Sequence, residues 1–340
     1  MLTVRLGKTG FEVNQTGFGA LPIQRISFEE AGRILNRALD AGVNFIDTAR
    51  VYTDSEEKIG RALASRRSEY ILATKTRPLD RAGVTESIDT SLEMLRTEYV
   101  DILQVHNPQK LPVPGDGTGC YEGLLDAKKA GKTRCIGLTA HSYEVAIEGA
   151  RSGLYDTVQF PFSMISSGPD LNVPAVCKEN NVGFIAMKAV AGGLIRNIPA
   201  AFAFMRRFDN VLPIWGVQRM EELEEFIALD KNPPVWDAAM EQAAAEEFSA
   251  LGSSFCRGCG YCLPCPAAID IPVVARIMLF LGRAPVVGLT SPEGKAKIAR
   301  AYECIECGNC TPRCPYGLNT QALVKSNADG FFAFVKEKGL

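Results

Sequence analysis

The chain lacks a surplus of charge: 37 Lys and Arg stand against 39 Asp and Glu, a net charge of −2 over 340 residues. That balance excludes a broad basic face for nucleic acid or acidic lipid. Long hydrophobic runs are missing too. Stretches such as IPVVARIMLFLG (271–282) are too short and too interrupted to span a bilayer, so membrane insertion is not expected. The opening MLTVRLGKTGFEVN has no apolar core behind a basic start, which argues against a signal peptide and for a cytoplasmic location. No GxGxxG and no P-loop occurs, nor any solenoid-type repeat or low-complexity tract. Histidine is scarce, with only His106 and His141. What remains is an ordinary globular composition, 46% hydrophobic and 22% charged, in a chain long enough for one large domain and one smaller.

Strand and helix signals alternate through the first two-thirds. Eight short runs rich in strand formers fall at 15–21, 43–49, 70–75, 99–106, 134–140, 157–162, 182–189 and 211–217. Helical patterns lie between them. Phe28, Ala31, Ile34, Leu35, Ala38 and Leu39 share one face, with Ser27 and Glu30 as a capping box and Gly42 past the end. A second helix carries Ile88, Leu92 and Leu95 on its stripe, with Thr85 expected as its cap. Eight strand–helix units predict a (β/α)8 barrel, whose typical size is roughly 250 residues. The competing open doubly wound sheet usually carries a glycine-rich phosphate loop after its first strand, which is missing. The expected barrel covers 1–229. DKNPPVW opens a linker and helix at 230–245, and a smaller α-helical domain follows at 246–340.

A barrel of this kind places its chemistry at the C-terminal ends of its strands. The second strand ends in Asp47, with Tyr52 five residues on; the third ends in Lys75 and the fourth in His106. An acid, a phenol, an ammonium and an imidazole thus converge on one rim. Hydride reduction of a carbonyl makes an alkoxide that needs a proton. Tyrosine, with an ordinary pKa near ~10, is a weak acid for that task. A neighbouring ammonium is expected to lower it, with Asp47 holding Lys75 in place and His106 donating to the substrate oxygen. Singly, each residue reads more readily as part of an ion pair, a loop anchor or a core histidine; their coincidence at three consecutive strand ends points to a site.

These residues resemble the aldo/keto reductases. NFIDTARVYTDSEEKIG, ILATKT and VDILQVHNP match that family's Asp-Thr-Ala-x-x-Tyr-x-x-Ser-Glu segment, strand-three lysine and strand-four histidine, and the likeness covers roughly 1–228. The resemblance implies that Asp47, Tyr52, Lys75 and His106 form a catalytic tetrad, and that a hairpin of 2–5 and 11–15 plugs the barrel floor. It also implies a nicotinamide dinucleotide. Thr139 and Gln159 would meet the nicotinamide amide. Gly216, Gln218 and Arg219, opening WGVQRMEELEEF, would take the phosphates, and Arg219 would favour NADP over NAD. Three positions depart from the family pattern: Ala140 replaces an amide-binding Asn, Met187 a ring-stacking aromatic, and Phe226 an adenine-facing Asn. Met187 leaves room for FMN in place of the dinucleotide.

Eight of the eleven cysteines form two runs. FCRGCGYCLPCP holds Cys256, Cys259, Cys262 and Cys265, with Pro266 behind; CIECGNCTPRCP holds Cys304, Cys307, Cys310 and Cys314, with Pro315 behind. Without an export signal such packing argues for metal rather than disulfides. The second run has the bacterial ferredoxin spacing and the first departs from it by one residue. In two-cluster proteins the fourth cysteine of each run serves the other cluster. One 4Fe–4S cluster is therefore assigned to Cys256, Cys259, Cys262 and Cys314, and the other to Cys304, Cys307, Cys310 and Cys265. Zinc favours pairs of ligands and has no use for a tight triple. The tail resembles helical ferredoxin domains fused to oxidoreductases, and the whole chain resembles the iron–sulfur branch of the aldo/keto reductases. Carbonyl–alcohol interconversion coupled to electron transfer follows from the resemblance, with a carrier such as ferredoxin as partner. The rival is a flavin-dependent or non-catalytic electron-transfer module with an idle barrel.

Overall fold

A computed structural model of the chain describes residues 2–77, 79–252, 255–283, 286–314 and 316–340. Pro315, which closes the second cysteine run, lies outside them. The chain divides into two compact units, Met1–Glu241 and Gln242–Leu340.

The first unit opens with a hairpin, β1 (Thr3–Arg5) against β2 (Glu12–Asn14). Eight parallel strands follow: β3 (Gly17–Gly19), β4 (Phe45–Asp47), β5 (Ile71–Thr76), β6 (Val100–His106), β7 (Thr133–Thr139), β8 (Thr157–Pro161), β9 (Gly183–Met187) and β10 (Val211–Gly216). They close in sequence order, β10 pairing with β3, so the expected (β/α)8 barrel is the observed fold. The helices between them are α1 (Phe28–Asp40), α2 (Ser55–Leu63), α3 (Arg81–Leu95), α4 (Cys120–Lys129), α5 (Tyr143–Arg151), α6 (Val173–Glu179) and α7 (Ile198–Arg206). After β10 come α8 (Met220–Lys231) and α9 (Ala238–Gly252).

Strands covered on both faces are buried almost throughout, as β6 and β8 are, and polar residues they carry, such as Gln104 and Gln159, are hydrogen-bonded. Inside the barrel Phe45, Ala73, Ile102, Ile185, Leu212 and Ile214 pack together. Val4, Leu6, Phe11 and Val13 of the hairpin and its turn join the same cluster and plug one end. Outside, α1 buries Ala31, Ile34, Leu35, Ala38 and Leu39 as its periodicity requires. Each fully buried Ile or Leu there contributes about 1.5–3 kcal/mol. Ser27 caps the helix by accepting from the Glu30 amide at 3.1 Å. The expected cap of α3 is corrected. Asp80 holds that place, accepting from the Gly83 amide at 2.8 Å, and Thr85 sits one turn inside with its hydroxyl on the Arg81 carbonyl. An aspartate one turn upstream offers the stronger acceptor, so the helix starts earlier than the hydrophobic stripe suggests.

Asp230 and Trp236, which fall in the expected linker, pack within the barrel unit. Asp230 is buried, accepts from Thr16 at 3.0 Å and pairs with Arg206; Trp236 lies edge-on to Phe204.

The second unit is helical, as expected: α10 (Ile271–Val274), α11 (Ile277–Arg283), α12 (Val286–Thr290), α13 (Pro292–Ala299) and α14 (Thr320–Lys338). Val324, Ala328, Phe331 and Val335 of α14 fall at helical spacing and form a core with Val274, Ile277 and Ile298.

Candidate active site and cysteine cradles

At the C-terminal end of the barrel, Asp47 ends β4, Lys75 lies at the end of β5 and His106 ends β6. The Lys75 ammonium donates to Asp47 Oδ2 at 2.6 Å and to the Thr48 carbonyl at 2.8 Å, and both side chains are almost wholly buried. Tyr52 sits on the loop between β4 and α2. Lys75 Nζ stands 5.1 Å from the centre of its ring, and the His106 ring meets it edge-on at 6.0 Å. The structure brings all four together.

A buried frame holds that loop. Thr48 and Ser55 share a hydrogen bond of 2.9 Å, and Ser55 reaches the Ala20 carbonyl at 3.1 Å. Glu56, itself buried, accepts from Thr74 at 2.6 Å and pairs with Arg50, whose amide donates to the Lys75 carbonyl at 3.0 Å. Tyr52 is thus tied to the strand that carries Lys75.

Burial pushes the Tyr52 phenol above its ordinary value of 10; Lys75 pulls it down, but not enough to reverse the direction. The expectation of a lowered phenol is therefore corrected: removal from water outweighs the ammonium. Burial works against the charge on Lys75, yet Asp47 and Tyr52 beside it together override that and the net shift is upward. Burial, followed by the charges of Lys75 and Arg77, pushes His106 down to about 3, so its imidazole is neutral near pH 7.

Thr139 and Gln159 join this network. Gln159 donates to Asp47 Oδ2 at 3.4 Å, and Thr139 lies 3.0 Å from Gln104 and 3.2 Å from Gln159. Gln104 escaped the sequence reading. Its amide donates to Asp47 Oδ1 at 3.1 Å. The signal was present, since Gln104 and His106 stand two apart on one strand and so share a face. Met187 ends β9 and packs against the barrel interior. Ala140 is buried, its amide bonded to the Gln159 carbonyl at 2.9 Å.

Gly216, Gln218 and Arg219 form a separate group at the start of α8. A Cβ on Gly216 would meet Pro22 at 3.2 Å. The Gln218 and Arg219 amides donate to Glu222 Oε2 at 2.8 and 3.1 Å, and the Arg219 guanidinium reaches Glu222 Oε1 at 3.1 Å. The anion at this helix start is the chain's own carboxylate. Phe226 is buried, stacked on Trp215 at 4.9 Å, with its ring in the core.

In the second unit two hollows gather the thiols. Cys256, Cys259, Cys262 and Cys314 line one. Cys265, Cys304, Cys307 and Cys310 line the other, with Cys262 also on its wall. Each hollow thus has the four sulfur donors that a 4Fe–4S cluster needs. Among the described residues no group of three His, Cys, Asp or Glu makes a ready site for a single metal ion. Cys120, Cys135 and Cys177 lie buried in the barrel unit; burial pushes their thiols up, to about 11 for the first two and about 12 for Cys177. They are inert thiols rather than nucleophiles.

Fold and site together define a (β/α)8 protein with a cluster of ionisable side chains at the C-terminal end of its barrel strands, joined to a cysteine-rich helical unit. The family model "Aldo/keto reductase family" matches residues 15–226, and the model "4Fe-4S dicluster domain" matches 255–319. The chain belongs to the aldo/keto reductase family and carries a 4Fe–4S dicluster domain in its C-terminal region. It is 30% identical over 213 residues to an aldo-keto reductase of Bacillus subtilis, and 31% identical over 209 residues to the L-galactose dehydrogenase of Arabidopsis thaliana. Each match covers 56% of this chain, and 62% and 66% of the relative's own length, respectively. Among solved structures, an aldo-keto reductase of Bacillus halodurans in its holo form superposes with a TM-score of 0.64 at 20% identity, covering 73% of this chain and 96% of that one. One from Klebsiella pneumoniae in complex with NADPH gives 0.62 at 21%, covering 73% and 95%. Among the described residues no helix is long and apolar enough to cross a membrane.

Proposed function

We propose that the protein is a cytoplasmic, NADP(H)-dependent carbonyl reductase, or alcohol dehydrogenase in reverse, whose two 4Fe–4S clusters exchange single electrons with a carrier such as ferredoxin. The observation that carries the catalytic part is the buried pair of Lys75 and Asp47 at 2.6 Å beneath the Tyr52 ring, with His106 at its edge.

A nicotinamide, when bound, would supply the hydride for the carbonyl carbon. Tyr52 gives its hydroxyl proton to the oxygen as charge builds there. Lys75 stabilises the phenolate left behind, and Asp47 keeps Lys75 charged and aimed. His106, neutral, donates a hydrogen bond to the carbonyl oxygen and fixes its approach. A hydride and one proton complete the alcohol. Thr139 and Gln159 would hold the nicotinamide amide, with Met187 beside the ring. Gln218 and Arg219 would take the phosphates once Glu222 yields its place. Turnover of a carbonyl panel with NADPH tests the reading. Tyr52→Phe is expected to lower kcat at least 100-fold, the low end of general-acid contributions, with iron content unchanged. Wild-type protein that binds iron yet reduces no carbonyl leaves only an electron-transfer module.

One observation favours a second reading. Glu222 caps the helix start where dinucleotide phosphates would sit, and Phe226 is folded into the core. Both suit a smaller cofactor such as FMN, which would also convert between hydride and single electrons. The absorbance of anaerobically purified protein separates the two readings; no flavin band excludes FMN.

A further inference from the structure

We propose that Arg276 is a redox-positioning residue that raises the reduction potential of the cluster held by Cys256, Cys259, Cys262 and Cys314. The inference rests on the two-cluster reading above.

Gly258 lies between Cys256 and Cys259 with φ +76°, a left-handed conformation natural only to glycine. A Cβ there would stand 2.4 Å from Arg276 Cζ and 2.5 and 2.8 Å from its two terminal nitrogens. The guanidinium is therefore pressed against the backbone of the cysteine turn, in space that exists only because residue 258 has no side chain. Two contacts aim it: Nε donates to the Pro272 carbonyl at 2.7 Å, and the Phe280 ring lies 5.1 Å from Cζ. The charges it feels most are those of Cys256, Asp270 and Cys259. Arg257 is a second cation at this cradle: it is buried, lines the same hollow, lies over the Tyr316 ring at 4.1 Å and donates to the Phe255 carbonyl at 3.2 Å.

Reduction adds one negative charge to a thiolate-ligated cluster. A fixed cation beside it favours the reduced state, and more so where water is scarce. The two cradles differ in that respect. Cys262 is buried and Cys256 and Cys259 half-buried, whereas Cys304 and Cys307 are exposed, with the exposed Glu306 between them. Solvent screens a charge at the second cradle more than at the first.

The test is a potentiometric titration of the full-length protein, poised anaerobically with dithionite and mediators and read by electron paramagnetic resonance. Arg276→Gln is expected to lower one of two midpoints, changing that cluster's oxidised-to-reduced ratio at fixed potential about tenfold, or about 59 mV for a one-electron couple. The other midpoint stays, and Arg276→Lys keeps most of the wild-type value. With iron content unchanged, two unmoved midpoints, an equal shift of both, or a Lys variant that falls as far as Gln overturns the proposal. If Arg276→Gln loses iron, Asp270→Asn decides. Asn keeps the cap that Asp270 provides to the Val273 amide, and loss of the negative charge should raise the same midpoint; no movement overturns the proposal. Wild-type protein without two cluster signals sinks the two-cluster reading itself, a distinct result.

Discussion

At the scale of single residues, the site is governed by removal from water. Tyr52 is a weaker acid than in solution, because burial outweighs the pull of Lys75. In the proposed reaction its value as a proton donor would therefore come from position and from the cation beside the phenolate, not from a lowered pKa. Carbonyl reduction should hold its kcat from neutral pH up to the ordinary phenol range near 10, since the acid stays protonated throughout. A kcat–pH profile that falls near pH 7 would contradict this. Lys75→Met should cost about 100-fold or more in kcat with KM little changed, as the phenolate loses its partner. His106 carries a stability signature. Its folded pKa lies near 3, below the ordinary 6.5 of the unfolded chain. The unfolded state therefore binds the proton first as pH drops. The stability this residue permits is full above pH 6.5 and is lost as pH falls toward 3. Denaturant titrations across that window should show a shallower decline for His106→Gln than for the wild type.

Two elements decide whether the residues meet. The loop from β4 to α2 carries Tyr52, and its frame is a buried carboxylate, Glu56, shared between Thr74 and Arg50. Glu56→Ala leaves both partners unsatisfied and should cost about 3 kcal/mol of stability. It should also lower kcat, because Tyr52 loses its tie to β5; denaturation midpoints and kinetics on the same preparation read both effects. The start of α8 is the second element. Glu222 occupies the amides of Gln218 and Arg219 and pairs with the Arg219 guanidinium. If a cofactor phosphate binds there it must displace a like charge, so Glu222→Gln should tighten NADPH binding several-fold, measured by fluorescence titration. Unchanged affinity would put the phosphates elsewhere.

Across the whole molecule, two compact units have separate cores. The smaller lines its cradles with the two cysteine loops and the ends of α10 and α14, and a bound cluster would contribute much of its folding energy. Calorimetry under anaerobic conditions should show two transitions. Removing iron with a chelator should lower or abolish one and leave the barrel transition in place. A single transition that shifts as a whole would mean that the units unfold together.

The local patterns were legible because they depend on neighbours in the chain. Short runs of strand formers between helical patterns placed all eight strands, 3.6-residue periodicity placed the face of α1, and cysteine spacing marked both runs. The order of strand ends grouped Asp47, Tyr52, Lys75 and His106 on one rim. What tertiary structure decided depends on residues far apart along the chain. Gln104 became a partner of Asp47 only when β4 and β6 were brought close, and Gln159 reaches the same carboxylate from β8. The direction of the Tyr52 shift is of the same kind: a sequence names the charged neighbour, but burial, which here outweighs it, exists only after the chain has closed around the group. Motifs announce which side chains are available; desolvation and distance, set by packing, determine what each of them does.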